Sequence, residues 1–142
     1  MSQAAANKAI LKEAFERWHE TKGGSVDHWM SLLADEVDFR SLADGKSGLE
    51  FTARRSTRAE VGEYMSGLVA MFEMIHYTVD FYVAEDDRVV AVGRTSWRHR
   101  ETGQTFDTPK ADIARFKDGK ITAFYEIYDT AAILACTGPM PA

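Results

Sequence analysis

At Ile75 the spacing of apolar residues changes from helical to alternating, and this change constrains the fold more than any other feature of the chain. Upstream, Ile10, Leu11, Ala14, Phe15 and Trp18 recur at the three- and four-residue intervals of one helix face. Downstream, Ile75, Tyr77, Val79, Phe81 and Val83 alternate with other residues, as on a strand with one buried face. Turn residues then cut the remainder into strands: Glu85-Asp86-Asp87, Glu101-Thr102-Gly103 and Lys117-Asp118-Gly119 separate segments near 88–98, 105–116 and 120–128. Helices early and a four-stranded antiparallel meander late predict an α+β fold, with helices covering one face of a curved sheet.

The helix limits are written in local chemistry. Gly23 and Gly24 stop the first helix, and Ser25 is positioned to cap a second carrying Trp29, Leu32 and Leu33 inward. Val37, Phe39 and Ser41 alternate with Asp38 and Arg40 as a short strand, and residues 43–56 read as a loop. Thr57 and Glu60 form a capping box for a helix that turns Val61, Tyr64, Met65, Leu68 and Phe72 inward. Asp129 can cap a short last helix through Ile133 and Leu134, and residues 136–142 are expected to be a mobile tail.

Several function classes are excluded. A net charge of −5 over 142 residues is not the basic footprint of a nucleic-acid binder. No window approaches a membrane span, and Lys8, Lys12 and Glu13 interrupt any signal-peptide core. The lone Cys136 allows no intrachain disulfide, which fits a cytoplasmic protein, and it has no neighbour that would activate it. His19, His28 and His99 lack metal-ligand spacing, so neither a metal nor a cofactor is expected. Arg54, Arg55 and Arg58, beside a helix start, read either as an anion site or as solvated surface charge. The length suits one domain over residues 1–142.

The stretch FKDGKITAFYEIYD, residues 116–129, poses the functional question, because Glu126 interrupts an apolar strand. A three-residue loop at Lys117-Asp118-Gly119 would put even-numbered residues of both strands on one face. Lys110, Asp112, Ala114 and Phe116 would then join Thr122, Phe124, Glu126 and Tyr128, with Lys110 opposite Glu126 and Asp112 one diagonal step away. Ala111, Ile113, Ile121, Ala123 and Ile127 would share the other face with Arg115 and Tyr125. One apolar face must pack on the helices, and the other fits a second subunit. Spacing alone does not decide which face the helices cover.

The segments TGQTFDTPKADI and RFKDGKITAFYEIYD, in a chain with this element order, resemble SnoaL-like proteins of the nuclear transport factor 2-like superfamily, over about residues 11–134. The superfamily also holds ketosteroid isomerase, limonene-epoxide hydrolase and scytalone dehydratase. The resemblance implies a cone-shaped barrel: a strongly bent antiparallel sheet around a pocket closed by N-terminal helices, often dimeric through its outer sheet face. It places Glu126 where cyclases and the epoxide hydrolase carry a catalytic Asp. Asp112 falls where the cyclases carry a His, and Lys110 at a polar pocket position. Arg94 matches the Arg of the hydrolase's Arg-x-Asp, with Ser96 in place of the Asp. Phe39 and Ser41 stand where the hydrolase has its water-holding Tyr and Asn. Epoxide hydrolysis by that route is therefore not expected.

The resemblance implies that the even-numbered face lines the pocket, making Glu126, Asp112, Lys110 and Arg94 the catalytic candidates. Like charges at Glu126 and Asp112 would push one carboxyl pKa up, and Lys110 or Arg94 would compensate. One function is general acid/base catalysis on a hydrophobic carbonyl compound by a cofactor-independent lyase, isomerase or cyclase. A second is a non-catalytic binding module, and a third is an interaction protein acting through its dimer face. The same ions could also be a structural network. Trp18, Trp29, Phe39, Phe51, Tyr64 and Phe72 are candidates for an aromatic ligand wall suited to a flat ring system. Phe116, Phe124 and Tyr128, with Ser41 and Ser96, complete it.

Overall fold

The computed structural model describes residues 2–138. Helices α1 (Gln3–Glu20) and α2 (Val26–Leu32) lead into strand β1 (Leu33–Ser41). A 3-10 turn at Glu50–Thr52 and the short strand β2 (Arg55–Thr57) precede helix α3 (Arg58–Met71). Strands β3 (Phe72–Glu85), β4 (Arg88–His99), β5 (Thr105–Lys117) and β6 (Lys120–Tyr128) follow, and α4 (Thr130–Thr137) closes the order.

The six strands make one sheet in the order β2-β1-β6-β5-β4-β3. The sheet is curled but not closed, with helices on its concave side. It is mixed rather than purely antiparallel, because β1 runs parallel to β6, pairing Phe39 with Phe124 and Ser41 with Glu126. β2 lies inside the stretch read as loop: three residues, half-buried or exposed, give no alternation to detect. The expected caps form at α3, where Thr57 Oγ1 accepts from the Glu60 N–H at 3.2 Å, and at α4, where Asp129 accepts from Ala132 at 3.2 Å. Ser25 precedes α2 but makes no side-chain cap bond. Gly23, at φ +85°, ends α1 by donating to the Trp18 carbonyl. Cys136 and Thr137 belong to α4 and not to a tail; Cys136 is buried, and its carbonyl accepts from Thr102 and Gln104. Residues 139–142 of the expected tail lie outside the described residues.

The hairpin between β5 and β6 reaches the expected parity by another route. Its turn has two residues, Asp118 and Gly119, both at positive φ (51° and 77°), with Lys117 opposite Lys120. β6 then carries one extra residue, Thr122, between the pairs Phe116–Ile121 and Arg115–Ala123. Beyond this bulge even faces even, but the register differs from the expected one. Asp112 stands directly opposite Glu126, and Lys110 opposite Tyr128. Before the bulge Ile121 turns to the concave side with Phe116 and is fully buried, contrary to its expected outward place.

β3 has two bulges, between Met74 and His76 and between Val79 and Phe81. They break the alternation read from Ile75 to Val83. Tyr77 is buried, whereas Ile75, Phe81 and Val83 are exposed. On the convex face Val83, Val90, Ile113 and Tyr125 form one cross-strand row, and Phe81, Val92, Ala111 and Ile127 the next. The β3 backbone comes so close to Gly93 that a Cβ there would lie 1.9 Å from the Thr78 carbonyl oxygen. Gly93→Ala is expected to destabilise the fold by about 1–3 kcal/mol or more in denaturant unfolding, as overpacking against unyielding backbone does.

Candidate active site

The concave faces of β5 and β6 carry three charged side chains on adjacent rungs. Lys110 Nζ lies 2.6 Å from Asp112 Oδ1 and 3.9 Å from Glu126 Oε1. Their side chains are 9%, 2% and 17% exposed, so water screens these charges little. Two tyrosines complete the cluster. From α3, Tyr64 donates its hydroxyl to Glu126 Oε2 at 2.8 Å. From β3, Tyr77 donates its hydroxyl to Asp112 and accepts from Lys110. The Tyr77 ring stacks on Phe15 at 5.1 Å, and its backbone N–H donates to His19 Nδ1 at 3.0 Å. Ser41, on β1 beside Glu126, is hydrogen-bonded to the Tyr128 hydroxyl.

This geometry separates the two carboxyls. Asp112 has an ammonium and a phenol for itself. Glu126 has one phenol and a more distant share of Lys110. Burial holds the Glu126 pKa above the ordinary carboxylate range, with Lys110 pulling it down and Asp112 pushing it up. The Tyr64 hydrogen bond also lowers it by favouring the ionised form. Burial first, and then the facing carboxylate, raises the Tyr64 and Tyr77 phenols well above their ordinary value, so both remain donors. Tyr128 is pushed up to about 12, mainly by burial.

Glu126 and Lys110 open onto a cavity of about 70 Å³, measured as the space available to the centre of a water molecule, while Asp112 stands behind them outside its wall. Of the expected wall, Trp18, Trp29, Phe39, Phe51, Tyr64 and Phe72 line it, and so do Phe124 and Tyr128. The rings interlock: Phe39 stacks on Phe124 at 5.2 Å and meets Tyr64 edge-on at 4.9 Å, and Trp29 meets Phe124 edge-on at 5.9 Å.

Four sequence candidates fall elsewhere. Arg94 projects from the convex face, 53% exposed, and pairs with Asp107, which His76 also approaches at 3.4 Å. It is no part of the site: it shares its rung with Thr78 and Pro109, on the opposite parity from Lys110. Ser96 is buried but donates to the Phe106 carbonyl at 3.0 Å, outside the wall. Ser41 supports Tyr128 without lining the cavity, and Phe116 is core beside Ile121. The arginine trio is held in ion pairs: Arg54 with Asp38 and Arg58 with Asp35 at the surface, and Arg55, its side chain only 18% exposed, with Glu63.

Sequence reasoning missed Tyr77, Thr95, Trp97, Phe106 and Thr108 as lining residues. Phe106 and Thr108 share the even parity of Lys110, so extending that face to the start of β5 would have found them. Tyr77 lay on the row that the alternation from Ile75 assigns to the buried face, but nothing in that row shows that its hydroxyl meets Lys110 and Asp112 from two strands away. Among the described residues no group of three or more His, Cys, Asp or Glu could hold a metal ion, and no helix is long and apolar enough to cross a membrane.

A curled α+β sheet with helices closing an aromatic cavity is the architecture of the NTF2-like fold. Residues 11–124 match the SnoaL-like domain model, and the chain belongs to that family. An NTF2-like protein from Burkholderia thailandensis E264 superposes with a TM-score of 0.80 at 20% identity, covering 94% of this chain and 98% of that one. A protein from Catenulispora acidiphila DSM 44928 with a ketosteroid isomerase-like fold, solved with trimethylamine, gives 0.74 at 18% identity over 92% and 93%. A provisionally assigned SnoaL-like polyketide cyclase from Jannaschia sp. CCS1 gives 0.80 at 15% identity over 99% and 98%. At these identities the likeness is one of fold. No curated protein matches the chain in sequence.

The raised Glu126 pKa has a sign that stability can read. An acid whose folded pKa exceeds its unfolded value favours folding below the unfolded pKa, and that contribution is lost as pH rises towards the folded pKa. Glu126→Gln keeps an acceptor for Tyr64 and removes the ionisation. The variant is therefore expected to melt above wild type at neutral pH, with the difference shrinking as pH falls below the carboxylate range.

Proposed function

We propose that the protein is a cofactor-independent acid/base catalyst, an isomerase, lyase or cyclase, acting on an apolar carbonyl compound in the aromatic cavity. The carrying observation is a desolvated carboxyl with a raised pKa beside an ammonium, at the polar end of an otherwise aromatic wall. In this reading ionised Glu126 takes a proton from the carbon next to the substrate carbonyl. The electron pair of that C–H bond moves into the enolate, whose oxygen faces the Lys110 ammonium. Glu126 then returns the proton to carbon, or the enolate expels a leaving group. Asp112 and Tyr77 are positioning residues that hold Lys110, and Tyr64 orients Glu126.

Proton exchange tests this without knowledge of the natural substrate. The protein is expected to accelerate exchange of butanone α-protons in D₂O, followed by NMR. The rate should rise with pH as Glu126 ionises, then level off. Glu126→Gln is expected to lower the enzyme-dependent rate by about 10²–10⁴. Equal exchange by the two proteins would remove the base from the mechanism. The alternative, a non-catalytic binding module, draws support from the departures from relatives' catalytic sets, Asp112 in place of a His and Ser96 in place of an Asp. Binding without exchange would favour it.

We also propose a homodimer through the convex face, supported by the two apolar rows across β3 to β6, where Phe81 and Val83 are 53% and 56% exposed. Such a continuous apolar belt fits burial against a second copy. Phe81→Lys together with Val83→Lys is expected to halve the sedimentation mass and leave the fold's circular dichroism unchanged. A wild-type monomer at tens of micromolar would contradict the proposal.

A further inference from the structure

One segment between β1 and β2 brings Phe51 to the cavity wall. Residues 42–54 run from β1 to β2 beside the cavity, with positive φ at Asp44, Gly45 and Gly48. The segment is held in shape by its own bonds. Thr52 donates its hydroxyl to the Leu49 carbonyl at 2.5 Å and accepts from the Gly45 N–H at 3.0 Å. Arg55 ties it to α3, donating to the Phe51 carbonyl at 3.2 Å and to Glu63 at 3.1 Å. These contacts place the Phe51 ring against Tyr64, edge-on at 5.4 Å, and beside Phe72 at 6.4 Å.

Phe51 has this position because α3 leaves it a slot. Gly67 lies one turn beyond Tyr64 on the same helix face, and a Cβ there would stand 2.7 Å from the Phe51 Cβ. Any side chain at 67 would displace the ring. Tyr64, the next ring inward, holds Glu126. Phe51 is thus one aromatic layer from the acid and takes up space that a larger substrate would need. The cavity that remains measures about 70 Å³.

We propose that Phe51, seated in the Gly67 slot, sets the size limit of the cavity, so that the substrates are compact aliphatic carbonyl compounds. The substrate class rests on the acid/base reading above; the size limit rests on geometry alone. Removing the ring frees a volume of benzene size beside the existing space, and larger ketones then reach Glu126.

The test uses the full chain and the indole N–H signals of Trp18, Trp29 and Trp97, all of which line the cavity. Acetone, cyclohexanone and benzene are titrated into wild type, Phe51→Ala and the milder Phe51→Leu, each first checked for a cooperative melt. Wild type is expected to bind acetone, with cyclohexanone and benzene at least about tenfold weaker than in Phe51→Ala, and Phe51→Leu between them. Gly67→Ala should shift the cut-off when Phe51 is present and leave it unchanged in Phe51→Ala. If neither ketone binds but benzene enters only the Phe51 variants, the size limit stands and the carbonyl reading fails. Cyclohexanone or benzene entering wild type as readily as Phe51→Ala, or no probe entering any variant, overturns the size limit.

Discussion

Asp112 and Glu126 stand directly opposite each other on β5 and β6, on the desolvated side of the sheet. Two like charges on one rung of a dry interior repel strongly, and the surrounding structure relieves this unequally. Lys110 approaches Asp112 closely and Glu126 only at a distance, while each carboxyl takes one tyrosine hydroxyl from a different element. The inequality sets the two acids apart: Asp112 is committed to an ion pair, and burial leaves Glu126 with a raised proton affinity. Removing one partner of a buried ion pair costs about 3–5 kcal/mol, a large part of a domain's usual 5–15 kcal/mol. The arrangement is therefore a structural commitment as well as a chemical one.

The aromatic wall follows from that commitment. A polar cluster at the centre of a sheet needs the rest of its surroundings to exclude water, and rings from both the helices and the strands close around it. α1 contributes Phe15, which stacks on Tyr77, and Trp18, which packs near Trp97. α3 contributes Tyr64, which touches Phe39, Phe51 and the acid at once. Glycine appears where backbone or ring must come closest, at Gly93 beneath the Thr78 carbonyl and at Gly67 beneath Phe51.

Much of this was legible residue by residue. The Thr57–Glu60 cap and the Asp-Gly turn act through neighbours a few positions apart, so the sequence carries them in full. The change of period read at Ile75 lies inside β3, which starts at Phe72 where a last helical residue was expected, and two bulges break its alternation. The even-numbered hairpin face survived because a two-residue turn and the one-residue bulge at Thr122 together have the parity of a three-residue loop. Ile121, lying before that bulge, did not follow it. Arg94 was misplaced for a related reason: matching it to a motif position gave no information about which face its rung presents, and its partner Asp107 lies on the convex side. Tyr77 is buried as the alternation requires, but its meeting with Asp112 and Lys110 across β4 is a contact between distant strands that alternation does not record.

By itself, then, the sequence determined the fold class, the α3 and α4 caps and the placing of Lys110, Asp112 and Glu126 on one sheet face, all of which depend on local spacing. The tertiary structure alone decided which face lines the cavity and which rings reach it, which carboxyl pairs with Lys110, that Tyr64 and Tyr77 divide the two acids between them, and that Phe51 sits in the Gly67 slot beside Tyr64. These depend on distances between elements far apart in the chain, and on single-residue bulges whose effect on every later side chain no alternation pattern records.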